Sequence, residues 1–239
     1  MKNVFIETSR VMTFREAAGV VADTQKGQPG FLLAWGYAGR GKTECAKEYA
    51  IRNEKATYIR VFEDWTPPVM LSAICEKLNG MRPGRMALAK QVIIEELDES
   101  KKILLIDEAD RLSIKNIEHL RDIHDETGSP IVLIGEPSIY ALVKARARIW
   151  QRVTRVVEFG PVVIDDVLVF GLKACDLRIE PAAAKRVVEK CKGSFRLLYH
   201  VMVELERIAR ANNINDITLD VVNNLPDRRP APTPERPKK

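Results

Sequence analysis

The sequence predicts an α/β protein in which a five-stranded parallel sheet is flanked by helices and followed by a small all-helical domain. Short apolar runs alternate with segments of helical spacing up to residue 160, and such alternation favours a parallel sheet covered on both faces. After the Gly160-Pro161 pair only helical spacing remains. The chain has 239 residues, of which 46% are hydrophobic, which is enough for a sizeable core.

Each predicted strand is a short apolar run. The five runs lie at 31–36, 57–62, 103–107, 131–135 and 155–159. Helical patterns lie between them at 42–54, 67–80, 85–100 and 116–128, and after them at 165–176, 180–191, 194–212 and 218–225. We therefore expect an α/β core over residues 1–160 and a helical domain over residues 161–225.

The last residues, 226–239, differ in composition from the rest of the chain. They are basic, rich in proline and without a large apolar side chain. Such a segment cannot bury enough surface to offset the entropy of ordering it. We expect these residues to form a disordered tail.

Charge, cysteine spacing and the lengths of the apolar runs indicate which partners and which cellular compartment to expect. Lys and Arg number 38 against 33 Asp and Glu, a net charge of +5, which permits nucleic-acid binding without requiring it. The four cysteines lack metal-binding spacing, so we expect reduced, mostly buried thiols. No apolar run approaches the roughly 20 residues of a membrane span, and the first residues lack the apolar core of a signal peptide. We expect a cytoplasmic protein.

The segment GYAGRGKT fits the pattern G-x-x-x-x-G-K-[ST]. A predicted strand ends at Gly36 and a predicted helix begins near Lys42, an arrangement that directs backbone N–H groups and a helix N-terminus at an anion. Lys42 is expected to reach the β and γ phosphates of a nucleotide, and the Thr43 hydroxyl to bind Mg²⁺. The predicted phosphate-binding residues are Gly36, Tyr37, Ala38, Gly39, Arg40, Gly41, Lys42 and Thr43.

A second acidic motif, ILLIDEAD, follows the loop in sequence. Its apolar residues predict a buried strand that carries Asp107 to its carboxyl end, where Asp107 and Thr43 would share the Mg²⁺ ion. Glu108 is expected to orient and activate the attacking water. Together the two motifs predict that the chain binds ATP with Mg²⁺ and hydrolyses it.

With these motifs the chain resembles the AAA+ ATPases over about residues 5–225. IVLIGEPS, at 131–138, lies where such proteins have the sensor-1 strand. GSFRLL, at 193–198, lies in the helical domain, which the resemblance identifies as a lid. The resemblance implies that Arg196, at the sensor-2 position, contacts the γ-phosphate and couples the lid to the nucleotide state.

The resemblance also implies assembly into a ring or a helical filament, in which each subunit offers an arginine to its neighbour's ATP. The arginine-rich segment KARARIWQRVTR lies where that residue is found. Arg152 is the first choice and Arg148 the second, and Arg146 and Arg155 are further candidates.

One residue departs from the AAA+ pattern. Sensor 1 is commonly a neutral polar residue, whereas Glu136 stands near that position in this chain. A carboxylate facing a phosphate is repelled unless it is protonated or turned away. This departure raises two alternatives. Either Ser138 takes the sensor-1 role, or hydrolysis is slow.

Within the AAA+ ATPases the layout resembles the transposition activators related to the Mu phage B protein. The similar features are a short N-terminal helix before the phosphate loop, the segment VFEDWTPPVMLSAICEKLNG, the GEP turn and the small helical lid. The resemblance implies that ATP-bound subunits polymerise on double-stranded DNA, mark it as a target and recruit a transposase. The residues before Phe31 are too few for the helix-turn-helix domain of Mu B-type proteins, so we expect the ATPase domain to make all DNA contacts.

The loop NGMRPGRMALAKQ is the predicted DNA-binding segment. Arg82 and Arg85 lie in it and Lys90 follows on the next helix, and we expect them to contact phosphates without sequence preference. Lys77 and Lys115 are weaker candidates. Two alternatives stay open: an AAA+ ATPase that acts on a protein partner, such as ExeA-like proteins or a replication loader, and an ATP switch with slow turnover.

Overall fold

The computed structural model describes residues 1–2 and 4–226. It confirms the predicted α/β class, with five parallel strands in the order β2-β3-β4-β1-β5. The strands are β1 (Phe31–Trp35), β2 (Ala56–Arg60), β3 (Ile103–Asp107), β4 (Ile131–Gly135) and β5 (Val153–Glu158). The predicted tail at 226–239 lies outside the described residues except for Pro226.

Seven α-helices accompany this sheet in the described part of the chain. They are α1 (Ser9–Ala22), α2 (Lys42–Arg52), α3 (Pro67–Asn79), α4 (Met86–Ser100), α5 (Ile114–Thr127), α6 (Pro137–Lys144) and α7 (Ala147–Trp150). A 3₁₀ turn, Ala109–Arg111, follows β3. The helices that were predicted begin and end within a few residues of their patterns, because apolar spacing marks the buried face of each one.

The core of the α/β unit forms where the apolar strands meet the helices. Every residue of β3 and β4 is buried, which explains why these strands read as continuous apolar runs. Helix α3 contributes Met70, Leu71 and Ile74 to the same cluster. Because β1, β3 and β4 are neighbours and parallel, their carboxyl ends meet at one edge of the sheet.

The described residues divide into two compact units, one of residues 7–160 and the other of residues 1–2, 4–6 and 161–226. Residues 1–2 and 4–6 therefore pack with the helical unit, a grouping that the sequence analysis did not predict. The Lys2 N–H donates to the Ala174 carbonyl at 2.7 Å, and the Lys2 ammonium lies 2.7 Å from Asp176. Ile6 packs against the apolar core of the helical unit.

The helical unit contains α8 (Ile164–Cys175), α9 (Pro181–Cys191), α10 (Phe195–Asn212) and α11 (Leu219–Asn223). Two strands of two residues, β6 (Arg178–Ile179) and β7 (Asp216–Ile217), pair in parallel. The sequence analysis did not predict this pair, because a strand of two residues is too short to show a period. Ile179 and Ile217 are buried, so the pair closes one side of the core.

In the described ranges, none of the helices combines the length and apolar character needed to cross a bilayer.

Candidate nucleotide-binding site

The predicted phosphate loop connects β1 to α2 at the carboxyl edge of the sheet. Its first residue is fixed tightly, because the Gly36 N–H donates to the Gly135 carbonyl at 3.2 Å and a Cβ on Gly36 would lie 2.4 Å from the Phe159 carbonyl oxygen. Gly39 and Gly41 have φ values of 75° and 88°, which glycine adopts readily. The loop therefore curves back before α2 begins at Lys42.

This loop has the features of an anion site. The first turn of a helix leaves N–H groups without intrahelical acceptors, and these groups point out of its N-terminus. Within the loop, Nη1 of Arg40 is buried and has no hydrogen-bond acceptor among the described residues. Both features fit the phosphates of a nucleotide.

The Lys42 side chain folds back onto the loop. Its ammonium donates to the Gly36 carbonyl at 2.5 Å and to the Tyr37 carbonyl at 2.9 Å. Burial lowers the pKa of Lys42, and the carboxylates of Glu136 and Asp107 oppose that shift. The Gly36 N–H bond to Gly135 and the parallel pairing of β4 with β1 and β3 place the carboxyl ends of β3 and β4 beside the phosphate loop.

Asp107 ends β3 and is buried. Its carboxylate accepts a hydrogen bond from the Tyr58 hydroxyl at 2.6 Å and another from the Glu108 N–H at 3.0 Å. Burial, and next the hydrogen bond to Asp107, raise the pKa of Tyr58. The tyrosine therefore stays a donor and fixes the orientation of the Asp107 carboxylate.

Glu108 lies immediately after the strand in a left-handed backbone conformation, with φ 59°. Its carboxylate contacts two arginines, Arg60 at 3.5 Å and Arg111 at 3.4 Å. Arg60 is the last residue of β2 and pairs in register with Asp107. Two cations therefore hold the predicted catalytic carboxylate in this conformation.

The turn after β4 is organised by Asp110. Its carboxylate accepts the Glu136 N–H at 2.9 Å, and a Cβ on Gly135 would lie 2.4 Å from the same carboxylate oxygen. Glu136 and Ser138, the two predicted sensor-1 candidates, are both exposed at the start of α6. The backbone of the GEP turn is therefore fixed while its side chains stay free to respond to a ligand.

Sequence reasoning missed three residues at this edge: Tyr58, Arg60 and Asp110. Tyr58 and Arg60 act through the alignment of β2 beside β3, and neither strand order nor register is encoded by any short motif. Asp110 is the last residue of the DEAD motif, and its position in the turn before the next predicted helix gave no sign that it would contact β4.

The arginine segment lies at the opposite, amino edge of the sheet. Arg152 precedes β5, and its guanidinium forms two parallel hydrogen bonds to Asp125, at 3.0 and 2.9 Å. The first choice for an arginine that acts on a neighbour is thus engaged within its own subunit. Arg148, on α7, is exposed, as are Arg146 and Arg155.

The predicted DNA-binding residues lie on the hairpin of α3 and α4. Arg82 is exposed and pairs with Glu76 at 2.6 Å, and Arg85 is exposed at the start of α4. Lys90 is half-buried and pairs with Asp122 of α5 at 2.8 Å, which makes it less available to a phosphate. Arg196 is positioned on α10 in the helical unit, and its role stays a prediction.

The geometry at the carboxyl edge combines an anion cradle, a lysine, a buried carboxylate and a second carboxylate held by cations. Among residues 1–2 and 4–226, there is no cluster of three or more His, Cys, Asp or Glu side chains suited to a metal. Mg²⁺ typically binds one or two protein carboxylates and completes its shell with phosphates and water. Thr43 and Asp107 fit that kind of site.

Comparisons with known proteins agree with this geometry. The sequence profile of the AAA domain family matches residues 25–143. A potential ATP-binding protein from Staphylococcus aureus is 27% identical over 135 residues, which cover 52% of this chain and 49% of that protein. The ATP-dependent target DNA activator B of Escherichia phage Mu is 29% identical over 140 residues, which cover 57% of this chain and 43% of that protein.

A third relative is the Mu-like prophage FluMu DNA transposition protein B of Haemophilus influenzae, 25% identical over 130 residues that cover 51% of this chain and 45% of that protein. The chain spans about half the length of the curated relatives that it matches.

Solved structures share the fold. The ORC2 protein of Aeropyrum pernix superposes with a TM-score of 0.69 at 13% identity, covering 93% of this chain and 69% of that one. The RuvB branch migration motor of Thermotoga maritima gives a TM-score of 0.59 at 18% identity, covering 92% and 68%. Fold, phosphate loop and sequence relatives lead to one conclusion: the chain carries an AAA domain over residues 25–143, and it resembles the B proteins of Mu-type transposition.

Proposed function

We propose that this chain is an ATPase that binds ATP with Mg²⁺, assembles on double-stranded DNA without sequence preference, and thereby selects a transposition target and activates a transposase. The observation that carries the proposal is the similarity to proteins named for ATP-dependent target DNA activation. The AAA profile match spans the phosphate loop, Asp107, Glu108 and Glu136. Since the relatives are phage and bacterial proteins, we place the activity in the bacterial cytoplasm.

The residues at the carboxyl edge would divide the chemistry among them. Loop N–H groups and Lys42 would hold the phosphates, and Thr43 and Asp107 would hold Mg²⁺, which neutralises phosphate charge when bound. Glu108 would orient and activate the attacking water. Because Arg60 and Arg111 contact Glu108, they would restrain the carboxylate until it turns toward the water.

An arginine from a neighbouring copy would complete the site. The segment with Arg148 and Arg152 lies at the amino edge of the sheet, whereas the phosphate loop of the same chain lies at the carboxyl edge. Such an arginine would therefore act in an oligomer, either a ring or a helical filament. We favour Arg148 over Arg152, because Asp125 already engages the Arg152 guanidinium. Arg196 would contact the γ-phosphate from the lid.

Arg82 and Arg85 would provide phosphate contacts to DNA. Arg82 leaves 72% of its side chain exposed despite its pair with Glu76, and an exposed pair of this kind is readily exchanged. Lys90 is the weakest of the three predicted contacts, because it is half-buried against Asp122.

A slow ATP switch is the second candidate function. The ion pairs of Glu108 and the carboxylate of Glu136 near Lys42 favour it, since both would slow hydrolysis until a partner rearranged the site. An AAA+ ATPase that acts on a protein partner is the remaining alternative, and DNA would leave its hydrolysis unchanged.

Sedimentation with random duplex DNA tests the proposal. The purified chain is mixed with DNA and ATP, a non-hydrolysable analogue, ADP or no nucleotide, at two salt concentrations. We expect DNA to pellet with protein in the triphosphate states and less at high salt. Protein that ignores DNA in every state would refute the proposal.

Paired charge reversals make this test specific. Arg82→Glu with Arg85→Glu is expected to abolish co-sedimentation. Arg186→Glu with Arg207→Glu is the control, since it changes net charge equally at two arginines of the helical unit, each of which pairs with a glutamate as Arg82 does. Equal loss in both variants would indicate a general charge effect rather than a site.

A further inference from the structure

The tip of the α3–α4 hairpin combines cations with exposed apolar side chains. Residues 81–86 read Met-Arg-Pro-Gly-Arg-Met, so that each arm of the turn carries one methionine and one arginine. Met81 is 52% exposed and Met86 41% exposed. Phosphate contact explains the arginines but gives no reason for two methionines in water.

The tip projects from a rigid base. Helices α3 and α4 pack through buried residues such as Ile74 and Ile93. The Asn79 side chain closes the turn, because its Oδ1 accepts the Met81 N–H at 3.0 Å and its Nδ2 donates to Glu96 at 3.4 Å. A Cβ added at Gly80 or Gly84 would meet no atom within 4 Å. The tip therefore stands clear of the rest of its unit and is held in place from below.

The basic and apolar composition of the tip favours duplex DNA as its partner. Between Gly80 and Lys90 the sequence contains basic and apolar residues but no acidic residue. A surface that mixes cations with exposed apolar groups matches duplex DNA when the duplex is opened, because the phosphates attract the cations and unstacked base steps accept apolar side chains. Methionine is unbranched and flexible, so it fits base steps of different sequence.

We propose that the tip binds duplex DNA by two kinds of contact, with Arg82 and Arg85 on phosphates and with Met81 and Met86 inserted as apolar wedges that unstack and unwind the duplex. This inference rests on the proposed DNA binding and deepens it. The wedge contact makes affinity partly independent of salt, whereas phosphate contacts alone make it wholly salt-dependent. It also makes the bound DNA underwound.

The test compares three double variants with the unchanged chain. Met81→Ala with Met86→Ala removes the wedges, Arg82→Ala with Arg85→Ala removes the phosphate contacts, and Met81→Gln with Met86→Gln keeps side-chain length without apolar character. The matched control is Met12→Ala, since Met12 is 58% exposed on α1 of the same unit. Thermal melting of each variant verifies folding.

DNA affinity is measured over a range of salt with a non-hydrolysable ATP analogue, and unwinding by relaxation of a closed circular plasmid with topoisomerase. Both methionine variants are expected to bind about tenfold more weakly at every salt concentration, which is the low end of the loss caused by removing an aromatic side chain stacked on a base. They should leave the salt slope unchanged and no longer unwind the plasmid when bound at saturation. The arginine variant should reduce the salt slope by about two.

The outcomes separate this inference from the proposed function. If the unchanged chain does not bind DNA, the proposed function fails and the wedge fails with it. If the unchanged chain binds while the methionine variants bind and unwind DNA equally well, the wedge is overturned and the proposed function stands.

Discussion

The carboxyl edge of the sheet and the tip of the α3–α4 hairpin are both rich in charge, but they are built in opposite ways. At the carboxyl edge, each charged side chain already has partners: Lys42 contacts the carbonyls of its own loop, and Glu108 contacts Arg60 of β2 and Arg111 of the 3₁₀ turn. At the tip, adjacent residues of one short turn face solvent. In the first region the ion pairs join side chains of different elements, whereas the ion pair of Arg82 with Glu76 at the tip lies within the hairpin and is exposed.

The largest effect is expected from Glu108→Gln, which tests whether the carboxyl edge performs the chemistry. Removing a general base typically slows a reaction by about 10³-fold, while the phosphate loop and hence ATP binding stay intact. Phosphate release in the presence of DNA and equilibrium nucleotide binding measure the two properties. Glu54→Gln, at an exposed residue before β2, is the control. An unchanged rate would remove Glu108 from the mechanism.

Arg148→Ala is expected to lower DNA-dependent hydrolysis by about 10²-fold, the usual scale for one donor to a developing negative charge. ATP binding by dilute protein should be unaffected, because the arginine acts on a neighbouring copy. Mixing two variant chains distinguishes action on a neighbouring copy from a defect within one chain. A Lys42→Ala chain with intact Arg148 should restore activity to the Arg148→Ala chain, and failure to do so would contradict action between copies.

Arg152→Ala is the matched comparison for Arg148. Arg152 and Asp125 are each about two-thirds buried and doubly hydrogen bonded, so the loss should lower the free energy of unfolding by about 1 kcal/mol or less. Chemical denaturation measures it, and Asp125→Ala should give a similar loss. A large fall in DNA-dependent hydrolysis with unchanged stability would assign to Arg152 the role that we propose for Arg148.

Tyr58→Phe tests how far the carboxyl edge depends on contacts within it. The variant removes the hydroxyl that donates to the buried Asp107 carboxylate at 2.6 Å. A hydrogen bond to a charged group contributes about 1.5–3 kcal/mol, so we expect the Mg²⁺ concentration needed for ATP binding to rise by about tenfold. Tyr199→Phe, at an exposed tyrosine of α10, should change nothing. An unchanged Mg²⁺ requirement would mean that Asp107 is oriented without Tyr58.

The same contrast explains what the sequence could predict. The phosphate loop and the tip are each one continuous stretch of sequence, so spacing and composition could predict the candidate residues of the loop and the two arginines of the tip. Tyr58 and Arg60, which contact Asp107 and Glu108, come from β2, whose position beside β3 is set by the packing of the whole sheet. The same holds for Arg152. The sequence shows the arginine-rich segment, but the pairing of Arg152 with Asp125 of α5 depends on tertiary structure.

The smallest effect is expected from Arg60→Ala, which tests whether the contact with Arg60 restrains the Glu108 carboxylate. The side chain of Arg60 is half-exposed and contacts Glu108 at 3.5 Å, so solvent screens the pair and its free energy is about 1 kcal/mol or less. Freeing Glu108 should therefore raise basal hydrolysis by about fivefold at most, since roughly 1.4 kcal/mol corresponds to tenfold.

The rate with saturating DNA decides between restraint and catalysis. If Arg60 only restrains Glu108, this rate should stay the same, and the stimulation by DNA should fall because the basal rate has risen. Arg186→Ala, which breaks a comparable surface pair with Glu189, should alter neither rate. A fall in both rates after Arg60→Ala would mean that Arg60 assists the reaction. The carboxyl edge would then differ less from the tip, since in both regions arginines would contact the ligand directly.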